Sequence, residues 1–291
     1  MAVLKIEHTT TYRYRRPVRL GEHRMMFRPL DSHDLRLLET SLTLSPPATI
    51  RWMHDVFGNS IALATFDSPA TELRAVSRIE LEHFATSGPE FVVAPHARTF
   101  PFSYSLDERA DLGRLIEPHY DDPDHHVLEW ARIFLNREGE TETHALLADM
   151  TEAIRRDFDY RTRPEEGTQP PDETLRLRSG TCRDFALLMM EAVRRLGLGA
   201  RFVSGYLYEQ ALIGTSAPLV GGGQTHAWVH VYLPGAGWVA YDPTNGRVGG
   251  ENLIRVAVAR DPSQAVPMAG SFEGTLEDFI AMDVDVVVTV G

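Results

Sequence analysis

Cysteine occurs once in the 291-residue chain, as Cys182, in the run Ser179-Gly180-Thr181-Cys182-Arg183-Asp184-Phe185. A single thiol cannot form an internal disulfide or a multi-cysteine zinc site. It leaves a buried inert thiol, a redox-sensitive thiol or a nucleophile. Position bears on that choice. Phe185, Leu188, Met189, Ala192 and Leu196 recur at helical spacing, so the pattern predicts a helix over 182–196 with Cys182 in its first turn. Free backbone N–H groups and the positive end of the helix dipole gather there, and Arg183 adds a cation. Together they favour a thiolate, with an expected pKa below the free-thiol value of about 8.5.

A nucleophilic thiol needs a base. The chain has 12 histidines, and His33, His54, His96, His119, His125 and His126 all sit in polar surroundings. The His125-His126 pair has no third ligand at a sensible spacing, so no metal site is expected. His226 differs. It opens the stretch His226-Ala227-Trp228-Val229-His230-Val231-Tyr232, directly after the glycine-rich Gly221-Gly222-Gly223. A strand there places His226, Trp228, His230 and Tyr232 on one face and Ala227, Val229 and Val231 on the other. Asp242, in Tyr241-Asp242-Pro243-Thr244-Asn245, is the candidate to orient the ring. With a five-residue loop at 233–237, Tyr232 pairs with Trp238 and Trp228 with Asp242. His226 is then the diagonal same-face neighbour of Asp242, with about 7 Å between backbones. A four-residue loop would put the two on opposite faces. Taken singly, Cys182 suits a buried helix start, His226 a polar sheet face and Asp242 a turn before proline. Taken together they suit a nucleophile, a base and an orienting group.

The elements that must hold these residues can be read from periodicity. Residues 3–14 alternate with period two, and 42–44, 50–52, 61–66 and 73–84 read as further strands separated by proline and glycine turns, with a hairpin loop at 55–59. Amphipathic helices are expected over 124–136 and 143–157, and a surface loop over 161–172. Strands are expected at 200–207, 225–232 and 238–242, and again in the alternating tail from Met282. The order argues for an α+β fold: a β-sandwich-like N-terminal domain over 1–97, a core of helices packed on an antiparallel sheet over 98–250, and an extension over 251–291 whose strand could rejoin the N-terminal sheet.

Composition narrows the function classes. Apolar residues make up 43% and charged residues 24%, which excludes disordered and fibrous chains. No apolar run approaches the roughly 20 residues of a membrane span, and the N-terminus carries no signal-peptide core, so a cytoplasmic protein without a membrane partner is expected. The net charge of −12 repels phosphate backbones, so no nucleic-acid partner is expected.

The motif segments resemble the transglutaminase-like superfamily of papain-type cysteine enzymes, and within it the bacterial members described as candidate cysteine proteases. Gly180-Thr181-Cys182-Arg183-Asp184-Phe185-Ala186 is similar to the nucleophile motif, 196–206 to the segment after it, and Thr225-His226-Ala227-Trp228 and Asp242-Pro243-Thr244-Asn245-Gly246 to the histidine and aspartate motifs. The resemblance implies Cys182 as nucleophile, His226 as base and Asp242 as orienting group. The family pattern has a glutamate where His230 stands. The implied chemistry is acyl transfer on a peptide or protein amide, with no cofactor. The Cys182 N–H is a natural oxyanion donor; Tyr160 and Gln169 are candidates for a second, and Trp228 and Tyr206 for walls of a cleft. Hydrolysis of the thioester is expected, with transamidation or a non-catalytic scaffold as the alternatives.

Overall fold

The computed structural model describes residues 2–84, 92–163, 167–208 and 223–290. Gly221 and Gly222 of the glycine-rich loop lie outside the described residues. The N-terminal part supplies β1 (Ala2–Leu20), β2 (His23–Met25), β3 (Leu35–Ser45), β4 (Ala48–His54), β5 (Ser60–Phe66) and β6 (Ala70–His83). Helices α1 (Leu106–Leu112), α2 (His126–Arg132), α3 (Thr143–Asp157), α4 (Pro171–Leu177) and α5 (Cys182–Arg195) follow. Then come β7 (Ala200–Leu207), β8 (His226–Leu233), β9 (Gly237–Asp242), β10 (Arg247–Val248) and β11 (Leu253–Ala259). The tail adds β12 (Met268–Ala269), β13 (Phe272–Glu273) and β14 (Phe279–Val290). The fold is α+β.

Two sheets curl around the N-terminal core. In one, β1 lies between β6 and β14, with β3 beyond β6 and β13 on the far end of β1; the other runs β12-β2-β5-β4. The loop at 55–59 joins β4 to β5 as a hairpin, with His54 paired to Ser60. Met25, Phe27, Ala62, Leu73 and Ala75 fill the space between the sheets.

The core sheet runs β10-β9-β8-β7-β11, antiparallel throughout. Its strands alternate as the sequence requires. Ala227, Val229 and Val231 of β8 pack with Phe185, Leu188, Met189 and Ala192 of α5 in one buried cluster. The opposite face carries Trp228, Val203, Ala240 and Val258 in a second cluster, which takes in Phe57 from the β4–β5 loop. Asn59 clamps that loop to the edge of the sheet: its Nδ2 donates to the Val258 carbonyl at 2.7 Å and its Oδ1 accepts the Val258 N–H at 2.9 Å. A third cluster joins the two parts, with Leu4, Ile6, Ile79 and Leu81 against Tyr206, Tyr208, Ile254 and Val256.

Three local departures from the periodicity have physical causes. Helix α2 starts after His125, which is left-handed (φ 58°), because the Asp122 carboxylate accepts the Val127 and Leu128 N–H groups. It ends at Arg132, and beyond it Asn136 bonds to Thr141 and Glu140 in a turn rather than a helix. Helix α4 begins inside the expected loop, with Pro171 in the first turn, where its missing N–H costs nothing. The segment after 251 first supplies β11 to the core sheet beside β7, and only later leaves it for β1.

Candidate active site

Cys182 is the first residue of α5 and is 5% exposed. The helix start is held by Asp184, a buried carboxylate. Its Oδ2 accepts the Thr181 N–H at 2.8 Å and the Thr181 hydroxyl at 2.9 Å. Arg163 pairs with both oxygens, at 2.9 and 3.1 Å, and the Gln169 N–H donates to Oδ1 at 2.7 Å. Gly180 is needed beside it, since a Cβ there would lie 2.8 Å from the Asp184 Cβ. Arg183 is pinned by the Pro262 carbonyl at 2.8 Å and lies over the Phe202 ring.

The β8–β9 register pairs Tyr232 with Trp238 and Val229 with Tyr241, the register a five-residue loop requires. His226 and Asp242 therefore meet: Nε2 to Oδ2 is 2.9 Å, and both residues are 1% exposed. The other ring nitrogen, Nδ1, is buried and has no fully formed hydrogen bond among the described residues. The Cys182 thiol lies near enough for its charge to act on the ring. Burial disfavours the charged imidazole, but Asp242 and then Cys182 outweigh it and raise the pKa to about 10. Asp242 moves the other way. Burial would raise it, but the charge and hydrogen bond of His226, with the hydrogen bonds of Asn245 and Thr244, hold it below the ordinary carboxylate value. The arrangement can hold a proton on the imidazole beside a sulfur, which is the requirement for passing that proton to a leaving group.

The remaining candidates separate. Tyr160 pairs in parallel with Gly180, just ahead of Cys182, and its hydroxyl is raised to about 12 by burial and by the nearby Cys182 and Asp184. Gln169, the other candidate donor, has its amide engaged within the loop. Its Nε2 donates to Thr174 Oγ1 at 3.0 Å and to the Ser179 carbonyl at 3.1 Å, so the amide braces its own loop. Trp228, a candidate for the cleft wall, is 1% exposed, and its indole N–H is buried without a hydrogen-bond partner among the described residues. It stacks beside His226 at 6.2 Å and fills the space over Gly205. Tyr206 is likewise buried, hydrogen-bonded to His8. His230, where the family pattern has glutamate, is held neutral by burial and the nearby Arg201 and Arg255, and its Nδ1 lies 3.3 Å from Arg201. Sequence reasoning assigned no role to Asp184 or Asn245. The signal for both was present, an acidic residue three places after a threonine N-cap and an Asp-Pro-Thr-Asn turn. Among the described residues no group of three or more potential ligands stands close enough to hold a metal ion, and no helix is long and apolar enough to cross a membrane.

Comparison with known proteins gives a consistent picture. Residues 4–82 match the bacterial transglutaminase-like N-terminal region, and residues 134–243 match the transglutaminase-like superfamily. An uncharacterised protein of Mycobacterium tuberculosis strain H37Rv is 30% identical over 298 residues, covering 97% of this chain and 92% of that protein. A protein-glutamine gamma-glutamyltransferase of Pseudomonas aeruginosa is 32% identical over 111 residues, 37% of this chain and 17% of that protein. Among solved structures, a candidate cysteine protease from Cytophaga hutchinsonii superposes with a TM-score of 0.75 at 19% identity, covering 99% of this chain and 90% of that one, a likeness of fold. With two matched regions and a relative aligned over nearly its whole length, the chain belongs to the transglutaminase-like superfamily.

Proposed function

We propose that the protein is a thiol-dependent amide hydrolase acting on peptide or protein substrates, with Cys182 as nucleophile, His226 as acid and base, and Asp242 as the group that orients His226. One observation carries this reading: a buried imidazole bonded through Nε2 to Asp242, with its second nitrogen buried without a hydrogen-bond partner among the described residues, on a ring that feels the charge of the only thiol in the chain. In the first step the Cys182 sulfur bonds to the amide carbonyl carbon. The C–N bond then breaks, and the amine leaves with the proton from His226. Water adds to the resulting thioester as His226 takes its proton, the C–S bond breaks, and acid and thiol are released. The Cys182 N–H, with no acceptor within its own helix at the first position, and the Tyr160 hydroxyl are the donors for the oxyanion.

Transamidation is the second reading, favoured by the partial match to a protein named as a gamma-glutamyltransferase. It shares the thioester and differs only in the acceptor. Hydrolysis is preferred because water needs only the base, whereas a lysine acceptor needs a site that positions and deprotonates its amine. The test offers a pool of glutamine- and amide-containing peptides with a millimolar fluorescent primary amine and follows the products by mass. Cleavage or deamidation is expected to dominate, and Cys182→Ser is expected to fold but to lose turnover by about three orders of magnitude or more. Amine incorporation exceeding hydrolysis would promote transamidation, and undiminished turnover in Cys182→Ser would remove the thiol mechanism.

A further inference from the structure

The Asp242 carboxylate is buried, and each of its oxygens is engaged. Oδ2 accepts His226 Nε2 at 2.9 Å and also Asn245 Nδ2 at 2.8 Å. Oδ1 accepts the Thr244 N–H at 3.0 Å and, at 3.4 Å, the Asn245 N–H. Two side chains thus share the oxygen that faces the imidazole. A carboxylate oxygen offers about two lone-pair directions. With Asn245 on one, the other is aimed at His226, and rotation about the Asp242 Cβ–Cγ bond would break both contacts at once.

We propose that Asn245 is a positioning residue: its side-chain amide locks Oδ2 of Asp242 in the orientation that holds His226 toward Cys182. The proposal rests on the roles given to Cys182, His226 and Asp242 above. The Asn-Gly turn that carries it is seated on α3, where a Cβ on Gly246 would meet Glu152 and Arg155, and Arg247 pairs beside Asp242 on the neighbouring strand. The turn therefore has His226 and Asp242 on the site side, with Glu152, Arg155 and Arg247 among the charged groups on its other flank.

The donor character of Asn245 makes a pH-dependent prediction that simple packing would not. In Asn245→Asp the new carboxyl has nearly the same shape but donates to Asp242 only while it carries a proton. Once both carboxyls are ionised they repel each other. Because Cys182 is the only thiol, iodoacetamide incorporation read by mass reports its reactivity with no substrate required. The ratio of the Asn245→Asp rate to the wild-type rate is expected near one at pH 5 and to fall about 10-fold by pH 8, by analogy with the 10- to 100-fold lost when the group that orients a metal-bound imidazole is removed. Asn245→Ala, which introduces no charge, is expected to be slower by about 10-fold at every pH and provides a second test if Asn245→Asp does not fold. Thermal unfolding of both variants accompanies the rates. A flat Asn245→Asp ratio from pH 5 to 8, or an Asn245→Ala rate equal to wild type, overturns the positioning role. A wild-type profile that follows a lone thiol near the usual value of about 8.5 and does not change in His226→Gln overturns instead the reading of Cys182 and His226, and the proposal falls with it.

Discussion

At the residue scale, the site turns on a contest that His226 wins only because of its partners. Burial favours the neutral ring, whereas the Asp242 carboxylate and the Cys182 sulfur favour the charged one and carry its pKa to about 10. A folded-state value above the unfolded value of about 6.5 means that the charged ring contributes stability fully below pH 6.5 and loses it as pH rises through 10. Asp242, held below the usual carboxylate range, contributes above about pH 4 and loses its contribution as pH falls through its lowered value. The stability difference between wild type and His226→Gln, measured by urea unfolding, should therefore be greatest between about pH 4 and 6.5 and shrink steadily toward pH 10. A difference that grew with alkalinity would mean that the ring is neutral in the folded protein.

At the element scale, the strands around His226 are spaced by an absent side chain. Gly205 of β7 pairs with His226 on one side and Arg255 on the other. A Cβ at Gly205 would lie 2.0 Å from the Ile254 carbonyl oxygen and 2.8 Å from the Trp228 ring. Trp228 can lie flat beside His226 only because that space is vacant. Gly205→Ala should therefore destabilise the protein by about 3 kcal/mol, the upper range for overpacking a well-filled site, and should perturb the His226 ring resonances in NMR spectra. A variant with wild-type melting and an unmoved His226 signal would show that the sheet absorbs the methyl. Helix α5 illustrates the same dependence on placement. Its apolar stripe was legible from spacing, but its start is set by Asp184, whose carboxylate gathers Thr181 at the helix start and Arg163 and Gln169 from the preceding loop.

At the scale of the whole molecule, the N-terminal sheet and the core are joined by buried polar pairs as well as by apolar contact. His8 of β1 bonds to the Tyr206 hydroxyl of β7 at 2.9 Å, and His83 of β6 bonds to the Tyr208 hydroxyl at 2.9 Å. Burial lowers the His8 pKa to about 4 and lowers that of His83 as well. A histidine kept neutral by the fold stabilises it fully above about pH 6.5 and less as pH falls toward its folded value. Stability measured by urea unfolding is expected to fall between pH 6.5 and 4, with about 2 to 3 kcal/mol of the fall removed in His8→Gln. An identical pH slope in the variant would show that His8 does not link the two parts in this way.

The sequence by itself determined the elements whose signals are local. Period-two alternation marked β1 and β14, the stripe from Phe185 to Leu196 marked α5, and a five-residue loop at 233–237, if adopted, put His226 and Asp242 on one face, a choice the observed register made. Such readings succeed because strand and helix periods depend on neighbours a few residues away. Tertiary structure alone decided where distant segments meet: that β14 lies on β1, that β11 enters the core sheet, and that Asn59 clamps Val258 from 199 positions away. It also decided the final roles of polar side chains. Gln169 was a candidate oxyanion donor from the sequence, and Asn245 had no assigned role. One spends its amide on Thr174 and Ser179, the other on Asp242, because a donor's role is set by which acceptor comes within about 3 Å, and that is a property of the packed chain.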